Sequence, residues 1–237
     1  MVAGVLHEQV WSQIDAVLFD LDGVITPSAE LHQRAWLLAL TAFSATEGDY
    51  LSFIDGRPRL DGVRTFLESR NLHLPDGAEG DEPSINTVHG IAALKQQSFL
   101  QILDQERFAP YSGSIALLDA LEQRGTPFGL VTSSKNSAAV LSASGLSNRF
   151  NLIVDGNVAV REHLNGKPAP DTYLFAARAI GVAPQRCAVI EDAVSGVTAG
   201  RNGEFGIVIG VDRGAGNTAL RAAGAHLVVQ DLIETLA

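Results

Sequence analysis

Asp20 and Asp22 stand two residues apart in Phe19-Asp20-Leu21-Asp22-Gly23-Val24, directly after the apolar run at residues 16–19. Two carboxylates at a strand end can address one divalent cation and one phosphate together. Mg²⁺ takes hard oxygen ligands and commonly keeps substrate phosphate oxygens in its shell. Asp-Gly is also an ordinary turn dipeptide, so this pair taken alone supports a turn as well. A second segment, Thr132-Ser133-Ser134-Lys135-Asn136, follows another apolar run. Its hydroxyls, backbone N–H groups and lysine suit an anionic oxygen, and they equally suit a helix N-cap with solvated Lys135 and Asn136 behind it. In Asn165-Gly166-Lys167-Pro168-Ala169-Pro170-Asp171 two prolines stiffen the chain around Lys167. The ammonium could neutralise both a carboxylate and an incoming phosphate, or simply sit exposed in a proline-bounded loop. Glu191 and Asp192 end a further apolar run. Consecutive buried acids repel unless a cation lies between them or they cap the next helix.

These segments need a scaffold that brings strand ends together. Apolar, β-branched runs at 16–19, 128–131, 188–190, 206–209 and 227–229 alternate with helical periodicity at 114–124, 137–144, 171–180, 194–201 and 218–222. That alternation predicts an α/β fold, a Rossmann-like doubly wound parallel sheet whose ligands bind at the carboxyl ends of the strands. Gly125, Gly145, Gly181 and Gly203 follow the helices, where a C-terminal glycine is favoured. About ninety residues between the first two strands lack the alternation, more than one crossover requires. Helices are expected there at 29–43, 61–70 and 86–106, with the least ordered part at 74–84. The expected division is a core at 1–27 and 109–237 and a small α-helical cap at 28–108, crossed twice near prolines and so hinged like a lid.

The composition narrows the partners. With 27 acidic against 17 basic residues the net charge is −10, which disfavours nucleic acid and anionic membrane. The single cysteine, Cys187, lies in an apolar run and reads as a core thiol. No run approaches the roughly 20 apolar residues that span a bilayer, and no basic region precedes a cleavage site. A soluble, cytoplasmic protein, monomeric or weakly dimeric, is the expectation. His89, His163 and His226 show no metal-ligand spacing.

Taken in order, Asp-x-Asp-Gly, Thr/Ser, Lys and Glu-Asp at successive strand ends resemble the motifs of the haloacid dehalogenase superfamily of phosphotransferases over nearly the whole chain. The resemblance implies that Asp20 attacks phosphorus and becomes an aspartyl phosphate, and that Asp22 is acid and then base. It implies that Thr132 and Lys167 hold the transferring group. Mg²⁺ would be bound by Asp20, the Asp22 carbonyl and Asp192, with Glu191 close by. Asp20 to Thr26, Ala29-Glu30, His32, Arg34-Ala35-Trp36, Ser134-Lys135-Asn136 and Lys167 to Asp171 are similar to the β-phosphoglucomutase-like branch, which includes sugar phosphatases. By that likeness His32, Trp36, Gly56, Arg59, Lys95, Ser133, Ser134, Lys135 and Asn136 would meet a small phosphorylated sugar, with Arg57 able to replace Arg59. Arg59 and Lys95 read equally well as solvated surface residues. Pro27, Ser28 and Asp55 depart from the mutases, which carry an acid, a threonine and a lysine there. The implied reaction is conversion of β-D-glucose 1-phosphate to glucose 6-phosphate, or hydrolysis of a sugar phosphate. A silent phosphate-binding module is disfavoured by the intact Asp20, Asp22, Thr132, Lys167 and Asp192.

Overall fold

The computed structural model describes residues 7–236; residues 1–6 and 237 of the expected core lie outside the described residues. Short apolar segments form six parallel strands: β1 Ala16–Phe19, β2 Phe128–Val131, β3 Ile153–Val154, β4 Cys187–Glu191, β5 Ile207–Val211 and β6 Leu227–Val229. Their spatial order is β3-β2-β1-β4-β5-β6. β1 lies between β2 and β4, so the strand order reverses there, which places a crevice outside its carboxyl end. Phe19 pairs with both Leu130 and Ile190, so the residues after all three strands emerge side by side.

Both sheet faces are covered, which explains why the strands are continuously apolar rather than alternating. Val17 and Phe19 point into one apolar cluster with Leu117, Leu121 and Val140. Ala16 and Leu18 point into the other with Tyr173, Ala177 and Val197. Helices α6 Ser112–Arg124 and α7 Ser137–Ala143 supply the first layer. The second comes from α9 Asp171–Ile180, α10 Val194–Asn202 and α11 Asn217–Ala223. A short α1, Glu8–Trp11, precedes β1. Cys187 is buried and its thiol is pushed up to about 11 by burial, as a core thiol should be.

Several expectations change in detail. β3 has two residues and α8, Gly156–Arg161, has six, both too short to show periodicity, and neither is expected from the sequence. Gly125, Gly145 and Gly181 adopt positive φ after their helices, but Gly203 does not; Glu204 takes the left-handed turn instead.

Between β1 and α6 lies the helical insertion: α2 Ser28–Ala39, α3 Glu47–Asp49, the π-turn Tyr50–Ile54, α4 Arg59–Ser69 and α5 Val88–Gln105. α2 ends at Ala39 rather than at 43 because the Thr41 hydroxyl donates back to Leu37 O and Leu38 O at 2.9 Å each, favouring a 3₁₀ turn. The segment at 74–84 contains no regular element, yet it is tied to α5: Val88 N donates to Pro75 O and Ser84 N to Gly90 O. The insertion carries its own apolar cluster around Trp36, Phe66 and Ile91. The opposite ends of α2 and α5, through Leu31, Ala35, Phe99 and Leu103, join the cluster beneath the sheet. No helix among the described residues is long and apolar enough to cross a membrane.

Candidate active site

β1, β2 and β4 deliver Asp20, Thr132, Glu191 and Asp192 to one place, and the loop before α9 brings in Lys167. Asp20 N donates to Ile190 O at 2.9 Å, which continues the β1–β4 pairing one residue past the strand. Lys167 is 2% exposed, and all three ammonium protons have partners: the Asp20 carboxylate, Glu191 Oε1 at 2.5 Å and Val131 O at 3.0 Å. Burial pulls its ammonium towards neutrality, but Asp20 and Glu191 outweigh that and hold it above its usual range. Glu191 is anchored further by the Tyr173 hydroxyl, which donates to Oε1 at 2.8 Å.

One ammonium therefore serves two buried carboxylates, with a third, Asp192, beside them. Oxygens of Asp20, Glu191 and Asp192 lie within 4.8 Å of one another. Burial, then repulsion from Asp55 and Asp20, pushes Asp192 well above the usual carboxylate range. Asp20 is raised by burial against the pull of Lys167. No hydrogen-bond donor among the described residues reaches the Asp192 carboxylate. A cluster of hard oxygen donors short of positive charge fits a divalent cation. Gly23 makes room for it: at φ +88° a Cβ there would come within 1.8 Å of Asp192 Oδ2.

Asp22 is separated from this cluster in role. Its carboxylate turns to Ser28 Oγ, which donates at 2.5 Å, and to Thr132 Oγ1, which donates at 3.4 Å. The Asp22 carboxylate is therefore not among the three whose oxygens converge. Burial raises Asp22, with the Ser28 hydrogen bond opposing, so this carboxyl is suited to carry a proton. Ser28 thus retains the hydroxyl that a threonine would supply. His32 Nε2 lies 3.4 Å from Asp22 Oδ1 without a hydrogen bond, while its Nδ1 meets Lys95 Nζ at 2.6 Å. Burial and Lys95 hold the imidazole well below its usual value, so it is neutral. Lys95 is itself buried, 4.6 Å from the Phe99 ring centroid and 5.6 Å from that of Trp36. Trp36, 5% exposed, packs in the insertion's cluster and also lines the site's cavity.

The site opens into a cavity of about 1050 Å³ between sheet edge and insertion, lined among others by Asp20, Asp22, Asp192, Arg57, Arg59, Lys95 and Lys135. Ser133 lines the cavity and its hydroxyl donates to Gly56 O at 2.8 Å, while Ser195 Oγ donates to the neighbouring Asp55 O at 2.8 Å. Gly56 permits this close approach. Its φ is +69°, and a Cβ would lie 2.3 Å from Ser195 Oγ and 2.8 Å from Ala193 Cβ. Gly56→Ala should raise amide exchange at residues 55–57 by about tenfold, equivalent to about 1.4 kcal/mol of lost local stability. Gly80→Ala is the control, since φ there is +95° but a Cβ meets nothing within 4 Å. Equal effects from the two variants would show that strain, rather than the contact, holds the loop.

Ser134 accepts from Asn136 N at 3.1 Å, and Lys135 has no ion-pair partner among the described residues. Arg59 and Asn136 both bond to Gln96. Gln96, Asp55, Ser195 and Tyr173 escape the sequence-based list. Asp55 is pushed up to about 6 by burial, with Tyr50 pulling the other way and nearby Glu191 and Asp22 adding to the rise. Its replacement of an expected lysine is one sign in the sequence that this loop differs.

A doubly wound sheet with an aspartate pair after β1, a buried lysine and a helical insertion after that strand defines a phosphoryl-transfer enzyme of α/β type. The chain belongs to the haloacid dehalogenase-like hydrolase family, whose profile matches residues 14–203, and within it to the β-phosphoglucomutase-like branch. It is 39% identical to the β-phosphoglucomutase of Mycobacterium bovis over 94% of this chain and 92% of the relative. It is 31% identical to hexitol phosphatase A of Escherichia coli over 77% and 76% of the two chains. The crystal structure of β-phosphoglucomutase from Clostridium difficile superimposes with a TM-score of 0.74 at 28% identity, covering 93% and 92% of the chains.

Proposed function

We propose that this protein is a Mg²⁺-dependent β-phosphoglucomutase, converting β-D-glucose 1-phosphate to glucose 6-phosphate through an aspartyl phosphate on Asp20. The observation that carries the reading is one cavity lined by two sets of anion-binding groups. Thr132 lines the reacting end, with Lys167 buried against Asp20. Arg59 and Lys135 also line the cavity, with Asn136 bonded to Gln96 next to them, and there the phosphate of a bisphosphate not undergoing transfer can rest.

In this reading an oxygen of Asp20 forms a bond to phosphorus as the ester P–O bond breaks, and the departing oxygen takes the proton of Asp22. The acceptor hydroxyl then returns a proton to Asp22 as it attacks the phosphoaspartate. Lys167 balances charge on Asp20 and on the transferring group. Thr132, already beside Asp22, orients both. Asp20, the Asp22 carbonyl and Asp192 would hold Mg²⁺, which supplies charge neutralisation to the phosphoryl oxygens when bound. Residues 28–108 act as a cap over the sheet edge, and their contact through Asp55 and Gly56 excludes water from the intermediate.

A sugar-phosphate phosphatase is the second reading, favoured by the likeness to hexitol phosphatase A. Supplying β-glucose 1-phosphate, Mg²⁺ and a trace of the bisphosphate separates the two. Glucose 6-phosphate should accumulate with little free phosphate. Free phosphate without the isomer would overturn the mutase reading.

A further inference from the structure

Arg59 is a largely buried cation whose guanidinium has no carboxylate within 4.0 Å among the described residues, and burial pulls it below its usual value. What covers it is a neutral group. Gln96 Oε1, on α5, accepts from Arg59 Nη2 and also from Asn136 Nδ2 at 3.0 Å, while Gln96 Nε2 donates to Asn136 Oδ1 at 2.8 Å. Arg59 opens α4 in the insertion and Asn136 precedes α7 beyond β2, so a single amide joins the insertion to the core beside the cavity that Arg59, Gln96 and Lys135 line. Two N–H donors, one of them charged, converge on one carbonyl oxygen. That is the arrangement an anionic oxygen satisfies better than an amide does, because charge-assisted hydrogen bonds to phosphate are about twice as strong as neutral ones.

We propose that Gln96 is a specificity residue that stands in for the distal phosphate of the substrate. Its carbonyl occupies the donors of Arg59 and Asn136 until a phosphate oxygen takes them, and its side-chain N–H groups then turn to the same phosphate. Neutrality is essential to this role. A carboxylate at the same position would pair permanently with Arg59 and repel the ligand, whereas an amide yields because it only borrows the donors. The ligand class is a sugar bearing a second phosphate remote from the one being transferred. The inference rests on the reading that the cavity takes a ligand with two anionic ends.

The test uses Gln96→Glu and Gln96→Met, each measured in two ways. Binding of glucose 1,6-bisphosphate is read by calorimetry in the Asp20→Asn background, where no turnover occurs. Turnover of p-nitrophenyl phosphate, which has no distal anion, is read in the otherwise unaltered enzyme. The bisphosphate dissociation constant should rise about thirtyfold or more for Gln96→Glu and about tenfold for Gln96→Met. In each variant the loss for the bisphosphate should exceed the loss in kcat/KM for the aryl phosphate by at least about tenfold. Parallel losses for the two probes would reduce Gln96 to a packing role and overturn the proposal, as would undiminished bisphosphate binding by Gln96→Glu. If the unaltered protein binds the bisphosphate but forms no glucose 6-phosphate, the mutase reading fails while the comparison between probes still decides the role of Gln96.

Discussion

Asp20→Asn should lower phosphoryl transfer by about four orders of magnitude or more while leaving the protein folded. The amide matches the carboxylate in shape but has no anionic oxygen to form the bond to phosphorus. Nothing nearby substitutes for it. Glu191 is bound to Lys167 and Tyr173, and the Asp22 carboxylate is turned to Ser28 and Thr132. The stability effect should be small or even favourable, because Asp20, Glu191 and Asp192 crowd within 4.8 Å and only Asp20 and Glu191 pair with the Lys167 ammonium. Removing one of three like charges relieves that crowding, while Lys167 keeps Glu191 and Val131 O. The measurement is a single-turnover experiment with mass detection of the phosphorylated chain, paired with thermal denaturation. Residual activity at a tenth of the parent rate would sink covalent attack by Asp20, whatever the melting temperature.

The part of this site that was legible in the sequence is the part made by strands. Asp20, Thr132, Glu191 and Asp192 each follow an apolar run directly, so a parallel sheet had to place them on one edge. The two prolines around Lys167 allowed either a held or an exposed lysine, and the partners Asp20, Glu191 and Val131 O that bury it come from distant strands. What the sequence concealed depends on the fold of the insertion against the sheet. The bonds from Gln96 to Arg59 and Asn136 span 37 and 40 residues, and those from Ser133 and Ser195 to the Asp55-Gly56 backbone span 77 and 140. No local periodicity encodes such pairs. Ser133 lies among the ligand-binding candidates and lines the cavity, and its hydroxyl also ties the insertion to the sheet through Gly56 O, a contact its motif does not announce.

Lys167→Met should combine a loss of activity of about a thousandfold with a loss of stability of about 3–5 kcal/mol. Methionine fills a similar volume, so a cavity contributes little and the penalty reports charge. In the native chain the ammonium sits 1% exposed against Asp20 and Glu191. Without it those carboxylates and Asp192 face one another with no cation among the described residues to offset them. Against a total stability of about 5–15 kcal/mol, that is enough to bring unfolding into the working temperature range. The double variant Asp20→Asn/Lys167→Met distinguishes this from a general disruption of the loop. Removing one carboxylate together with the ammonium restores part of the charge balance, so the double variant should be more stable than Lys167→Met alone by about 1–3 kcal/mol. The coupling is measured by denaturant titration of the parent, both single variants and the double. Strict additivity would mean that Lys167 stabilises the chain through packing over Tyr173, whose ring centroid lies 5.1 Å from Nζ, rather than through its charge.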